Sequence, residues 1–196
     1  MNKKIYTFFQ VVYKFIVVSF YFWISLIKGL IIYSIIPSIA ALYLTIDSIL
    51  KGKKEDADLK VTFNEYNDTY NQYKLSSFIF SLVMIMSIAS LLLLLKVENR
   101  LAVIGIIVAV YILFMTFVTL SYTVNYLVYR NLSIKHSFAF AFVSVLKFPV
   151  QTLLVTSLFI ILLAAAYLNI VFFVAFGPII YSFGIRIAIK KLIETD

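Results

Sequence analysis

The chain has 196 residues, 63% of them hydrophobic and 13% charged, with a net charge of +8 and no cysteine, and its mean hydropathy is +1.03. Soluble domains are nearer half apolar and a quarter charged, so this is the composition of a polytopic membrane protein: at roughly 20 residues per span there is room for about five or six helices and no separate soluble domain. Disulfides and thiolate chemistry are excluded, and the basic residues sit at the ends of apolar runs, where a positive-inside bias explains them better than nucleic acid does.

The N-terminal segment, residues 1–14, mixes lysines with Ile5, Tyr6, Phe8 and Phe9. It suits a helix lying along an interface or feeding into a first span over residues 15–36. A retained span is expected rather than a cleaved signal, because Lys14 and Lys28 interrupt an apolar run too long for a signal core. Pro37 then marks a corner. Proline suits the first turn of a helix and pushes its predecessor out of helical geometry, so the break is expected at Ile36. The next helix, residues 37–50, reaches only ~21 Å at 1.5 Å per residue; it is read either as a short span or as a re-entrant helix.

Residues 51–74 form the one long polar stretch. After a charged loop, Phe63, Tyr66, Tyr70 and Tyr73 recur at spacings of three and four, one face of an amphipathic helix over residues 61–74. That face is expected either to lie on the inner leaflet or to dock a cytoplasmic partner. Further spans are expected over 75–95, 101–128, 149–168 and 170–189. A second interfacial segment covers 132–147, with Lys135, His136 and Lys147 on its polar side. Pro149 opens the fifth span, and Gly177-Pro178 should kink the sixth.

With both termini inside, the inner segments carry nearly all lysines and arginines, including Lys3, Lys4, Lys51, Lys53, Lys54, Arg130, Lys190 and Lys191. The outer loops hold only Lys96 and Arg100. The expected fold is therefore all-α: a single membrane domain over residues 1–196, six transmembrane helices, two cytoplasmic interfacial helices and both ends cytoplasmic.

Chemistry is sparse. One histidine, no cysteine and five scattered glycines leave no soft-metal site, nucleophile pair or phosphate loop. No cofactor, no metal and no enzymatic activity are expected. His136 reads as a headgroup neighbour, and Arg186 as a residue snorkelling at the inner end of the last helix. Intramembrane charge is more telling, being costly unless paired or hydrated. Across an antiparallel hairpin cornered at Pro37, Lys28 and Asp47 differ in depth by only ~3 Å, so a Lys28–Asp47 pair is one expectation. The other is that Asp47 pairs with Lys51 one turn on while Lys28 snorkels or meets water.

The order of an apolar span, Pro37-Ser-Ile-Ala-Ala-Leu-Tyr43, a lysine-rich turn, Phe63 to Tyr73-Lys74 and another span resembles the YesL-like membrane proteins of Gram-positive bacteria. Lys147-Phe-Pro-Val150 and Phe176-Gly-Pro-Ile-Ile180 fit the second half of that family. Ser34-Ile-Ile36 departs from the usual Gly- and Thr-rich corner, and Lys28 stands where an amide is common. The resemblance implies a small protein of the bacterial plasma membrane, often encoded beside carbohydrate ABC-transporter components. The expected function is a non-enzymatic accessory of a transport or envelope complex, touching permease or ATPase subunits. The alternative is a small transporter or substrate-binding subunit with a midplane site near Lys28 and Asp47.

Overall fold

The computed structural model describes residues 3–52, 58–97 and 99–194, with side chains described from residue 5 to residue 189 within those segments. Lys53 and Lys54, and the side chains of Lys3, Lys4, Lys190 and Lys191, all part of the charge argument, lie outside the described residues. Every regular element among the described residues is helical. They are α1 (Lys3–Lys28), α2 (Ile35–Leu50), α3 (Leu59–Tyr70), α4 (Lys74–Leu94), α5 (Arg100–Tyr129), α6 (Ile134–Lys147), α7 (Pro149–Leu168) and α8 (Ile170–Glu194). A turn of 3-10 helix, Asn71–Tyr73, joins α3 to α4, so the helix runs unbroken from Leu59 to Leu94.

Among the described residues, five helical stretches are long and apolar enough to cross a membrane: Ile5–Lys28, Leu59–Leu94, Arg100–Tyr129, Pro149–Leu168 and Ile170–Ile189. The facing ends of α4 and α5 carry Leu92, Leu93, Leu101, Ile104 and Ile107 exposed. An apolar surface of that extent suits contact with a membrane or with another protein.

α2 is the hub. It packs against α1, α3, α4, α5 and α8, and eleven of its sixteen residues are buried. A helix apolar all round is expected to be enclosed by protein, which accounts for its composition despite a length of only ~24 Å. Around it, α1 and α8 run antiparallel, with Phe15 against Phe183 and Trp23 against Phe173. α3 runs alongside α1 in the same direction, Tyr21 meeting Phe63 and Ser25 meeting Asn67.

The first corner differs from the sequence expectation. α1 stops at Lys28, eight residues before Ile36, and the chain turns over residues 29–34. The end is closed by Ile31 N–H to Leu26 O at 2.7 Å and Leu30 N–H to Ile27 O at 3.0 Å. This is the left-handed helix stop in which a residue of positive φ normally is glycine. Here Leu30 occupies it at φ 54°, followed by Ile31 at 65°. Ile36 is already helical, and its N–H, one of the orphan donors of a first turn, is accepted by Ser77 Oγ at 3.1 Å. Pro37 therefore sits inside the first turn of α2, and the restriction on its predecessor does not break the helix.

Pro149 does open α7 at the first position. Pro178 lies inside α8, and its missing N–H would orphan the carbonyl four residues back. That carbonyl, Val174 O, accepts the indole N–H of Trp23 at 2.9 Å.

Candidate functional site

Between α1, α3 and the corner at residues 29–34 lies a polar groove of about 450 Å³. Its floor runs along α3, the 3-10 turn after it and the first residue of α4. Lys60, Asn64, Asn67, Asn71 and Lys74 follow one another at steps of four, three, four and three. At 3.6 residues per turn they fall within an arc of about 80°. All five line the groove, and Lys28, the last residue of α1, faces them with Ser25, Tyr21 and Tyr33. The stripe carries lysines and amides only. Glu65, Asp68 and Gln72 occupy a second polar stripe about 110° round the helix.

One hydrogen-bond chain fixes the middle of the groove. Ser25 Oγ donates to Asn67 Oδ1 at 3.0 Å and lies 2.8 Å from Ser38 Oγ. The single Ser25 proton is committed to the amide, so the buried Ser38 hydroxyl is the donor to Ser25. The amide oxygen of Asn67 is thereby anchored to Ser25, and the residue lines the groove. Ser34 completes the wall, its hydroxyl donating to Leu26 O at 3.1 Å. Gly29 is required beside it, since a Cβ at that position would stand 2.3 Å from Ser34 Cβ.

The second polar site is built on Asp47, which is 6% exposed. Its carboxylate receives Lys51 Nζ at 2.8 Å and the guanidinium of Arg186, which reaches across from α8. The Lys28–Asp47 pair is therefore corrected. Lys28 lies at the far end of α1, exposed, in the groove with Lys60 and Lys74. The error follows from the corner: the hairpin turns at residues 29–34 rather than at Pro37, which moves Lys28 to the hairpin's tip and leaves Asp47 near its base. Arg186 does not simply snorkel; it ties α8 to α2. Beside this pair, Tyr43 stacks between Tyr129 and Tyr181, with ring centroids 6.2 and 6.0 Å away.

The aromatic face of α3 is also placed differently from the docking expectation. Phe63 is 1% exposed, and Tyr66, Tyr70 and Tyr73 pack on the core. The face turns inward onto the fold, because α2 needs an apolar partner on that side. His136 lies exposed at the start of α6, its Nδ1 2.8 Å from Ser133 Oγ. The Gly177-Pro178 step lines a separate apolar cavity of about 300 Å³ with Trp23, Phe117 and Phe173.

Sequence reading singled out Lys28 but missed its companions. The helix expected over residues 61–74 is singled out for its aromatic face, and its start at residue 61 leaves Lys60 in the charged loop. The strict four-three spacing from Lys60 to Lys74 was the signal that separates the two stripes. Comparison with family profiles, with curated proteins and with solved structures returns no match to this chain.

Proposed function

We propose that the chain is a six-span protein of the bacterial plasma membrane, both termini cytoplasmic, that acts without catalysis as the small-ligand-binding subunit of a transport or envelope complex. The observation that carries the reading is the α1–α3 groove, where lysines and amides from two helices converge on a space of small-molecule size. The groove takes the place of the midplane site expected near Lys28 and Asp47, since Asp47 is committed to Arg186 and Lys51.

The topology rests on two arguments. α2, though short, is a sixth apolar helix among the described residues, and the lysine and arginine bias of the loops in the sequence favours cytoplasmic ends, Lys28, which lines one groove with Lys74, standing outside that pattern. Partnership with a carbohydrate ABC transporter rests on the resemblance to YesL-like proteins, and the inward-turned aromatic face of α3 is not its contact.

The binding function is tested by thermal unfolding of the purified protein in an uncharged detergent against a panel of sugars and sugar phosphates. A ligand-dependent rise in Tm that disappears in Asn64→Leu/Asn67→Leu supports it. No shift with any member of the panel refutes it. The partnership is tested separately, by purifying the tagged protein from its native membrane: permease or ATPase subunits should accompany it, and recovery of the protein alone refutes that arm.

A further inference from the structure

We infer that the α1–α3 groove selects a phosphorylated, hydroxyl-rich ligand, with the phosphate held between Lys28 and Lys74 and the hydroxyls on the amide ladder of α3. The inference rests on the binding role just proposed and names the class of ligand.

The argument begins with charge. Three lysines, Lys28, Lys60 and Lys74, line the groove, and no carboxylate does so among the described residues. The nearest described acids are accounted for elsewhere. Asp58 accepts Lys60 N–H at 2.9 Å as the cap of α3, while Glu65 and Asp68 lie on the other polar stripe. Ammonium groups gathered with no counter-charge repel one another, and an anion entering the groove relieves that repulsion while gaining charge-assisted hydrogen bonds.

Position then separates the two ends. α1 and α3 run side by side with Ser25 at the level of Asn67. One turn further on, Lys28 stands opposite Asn71 and Lys74, and the corner at residues 29–34 closes the groove behind them. Lys60 lies at the opposite end, about 21 Å from Lys74 along the helix axis. A compact anion such as a phosphate group suits the end where Lys28 of α1 and Lys74 of α4 both line the groove.

The span between the ends is uncharged but rich in donors and acceptors. Asn64, Asn67 and Asn71 repeat along the floor, Asn67 held by its bond from Ser25. Tyr21 and Tyr33 add phenol groups and ring faces on the α1 side. Amides that both donate and accept, flanked by aromatic rings, complement vicinal hydroxyls. An apolar acyl chain would leave these groups unpaired.

The corner is the one place where backbone strain accompanies the site. Leu30 and Ile31 hold positive φ side by side, a conformation costly for non-glycine residues and most of all for a β-branched one. It presents Lys28, Gly29, Tyr33 and Ser34 together at the closed end.

The phosphate could belong to a soluble sugar phosphate or to the glycerol phosphate of a lipid headgroup, and the experiment separates the two. Binding is measured on the full chain in an uncharged detergent with glucose 6-phosphate, inorganic phosphate and glucose. It is then measured in nanodiscs of phosphatidylcholine with and without phosphatidylglycerol, following protection from a soluble thiol reagent of Ile24→Cys, a groove-lining position that leaves Lys28 and Lys74 in place. Glucose 6-phosphate should bind more tightly than glucose. Lys28→Gln and Lys74→Gln should each weaken it about tenfold, the factor for one charge-assisted contact, with Tm of the free protein unchanged. Lys96→Gln, a cation outside the groove, should bind like the parent. Protection by phosphatidylglycerol but not by glucose 6-phosphate assigns the phosphate to a lipid and also supports the inference. Equal binding of glucose and glucose 6-phosphate, without protection by phosphatidylglycerol, overturns the inference and leaves the binding role standing. No binding and no protection by any probe overturns both.

Discussion

Trp23 and Pro178 sit 155 residues apart in sequence, yet the fold makes one depend on the other. Proline at 178 supplies no N–H, so Val174 O has no helical partner, and the Trp23 indole takes its place at 2.9 Å. Trp23→Phe removes that donor and also trims an edge contact with Phe173 whose rings are 5.5 Å apart. An unpaired carbonyl away from water costs about 1–3 kcal/mol, and the smaller ring adds about 1 kcal/mol of lost packing. The total expected loss is about 2–4 kcal/mol. In a Pro178→Ala background the helix regains its own donor to Val174 O, so Trp23→Phe should there cost only the packing part. The double-mutant cycle, measured by equilibrium unfolding in detergent, should give a coupling of about 1–3 kcal/mol. Equal losses in the two backgrounds would refute the reasoning, because the indole would then not be substituting for the missing N–H.

Further outcomes follow from the corner and from Asp47. Leu30→Gly should stabilise the protein by about 1 kcal/mol, because Leu30 holds φ 54° while 72% exposed and so surrenders strain without losing packing; a fall in Tm would count against the left-handed stop. Gly29→Ala should destabilise by about 1–3 kcal/mol, since its Cβ would meet Ser34, whose hydroxyl caps Leu26 O; unchanged unfolding would contradict the contact. Arg186→Gln should cost more than Lys51→Gln and should couple to Asp47→Asn, whereas Lys28→Gln should couple to neither. A stability cycle placing the coupling on Lys28 instead would restore the hairpin pair that the structure replaces.

What the sequence makes legible here is governed by the range of the interaction involved. Pro149 opening α7 and the helical period of Phe63, Tyr66, Tyr70 and Tyr73 are local effects of ring geometry and of a 3.6-residue turn, and both are found in the structure. Serines within helices bond their own backbone, as Ser87 does to Val83 O and Ser121 to Phe117 O. The corner was misplaced because Pro37 is the louder signal. A helix stop filled by Leu30 has no signature in residue type, and only the closing bonds from Ile31 and Leu30 reveal it. Of the two partners of Asp47, Lys51 one turn on is legible from helical spacing, whereas Arg186, 139 residues away, is not, being fixed by how α8 packs on α2. The direction of the aromatic face was open for a similar reason: periodicity shows that Phe63 and Tyr70 share a side, but not whether that side meets protein, lipid or a partner. The groove lies between these cases. Its floor is a local spacing that can be read from Lys60 to Lys74, while its far wall, Lys28, depends on α3 lying beside α1.

The most direct test of that groove is thiol labelling in the membrane at two adjacent positions of this cysteine-free chain. Lys28 lines the groove, whereas Ile27, 68% exposed, is not among its lining residues and is read as facing lipid. A small soluble thiol reagent should modify Lys28→Cys and leave Ile27→Cys unreacted, which is what a water-filled site beside a lipid-facing surface requires. Silence at position 28, or equal reaction at both positions, would contradict a ligand-accessible groove between α1 and α3.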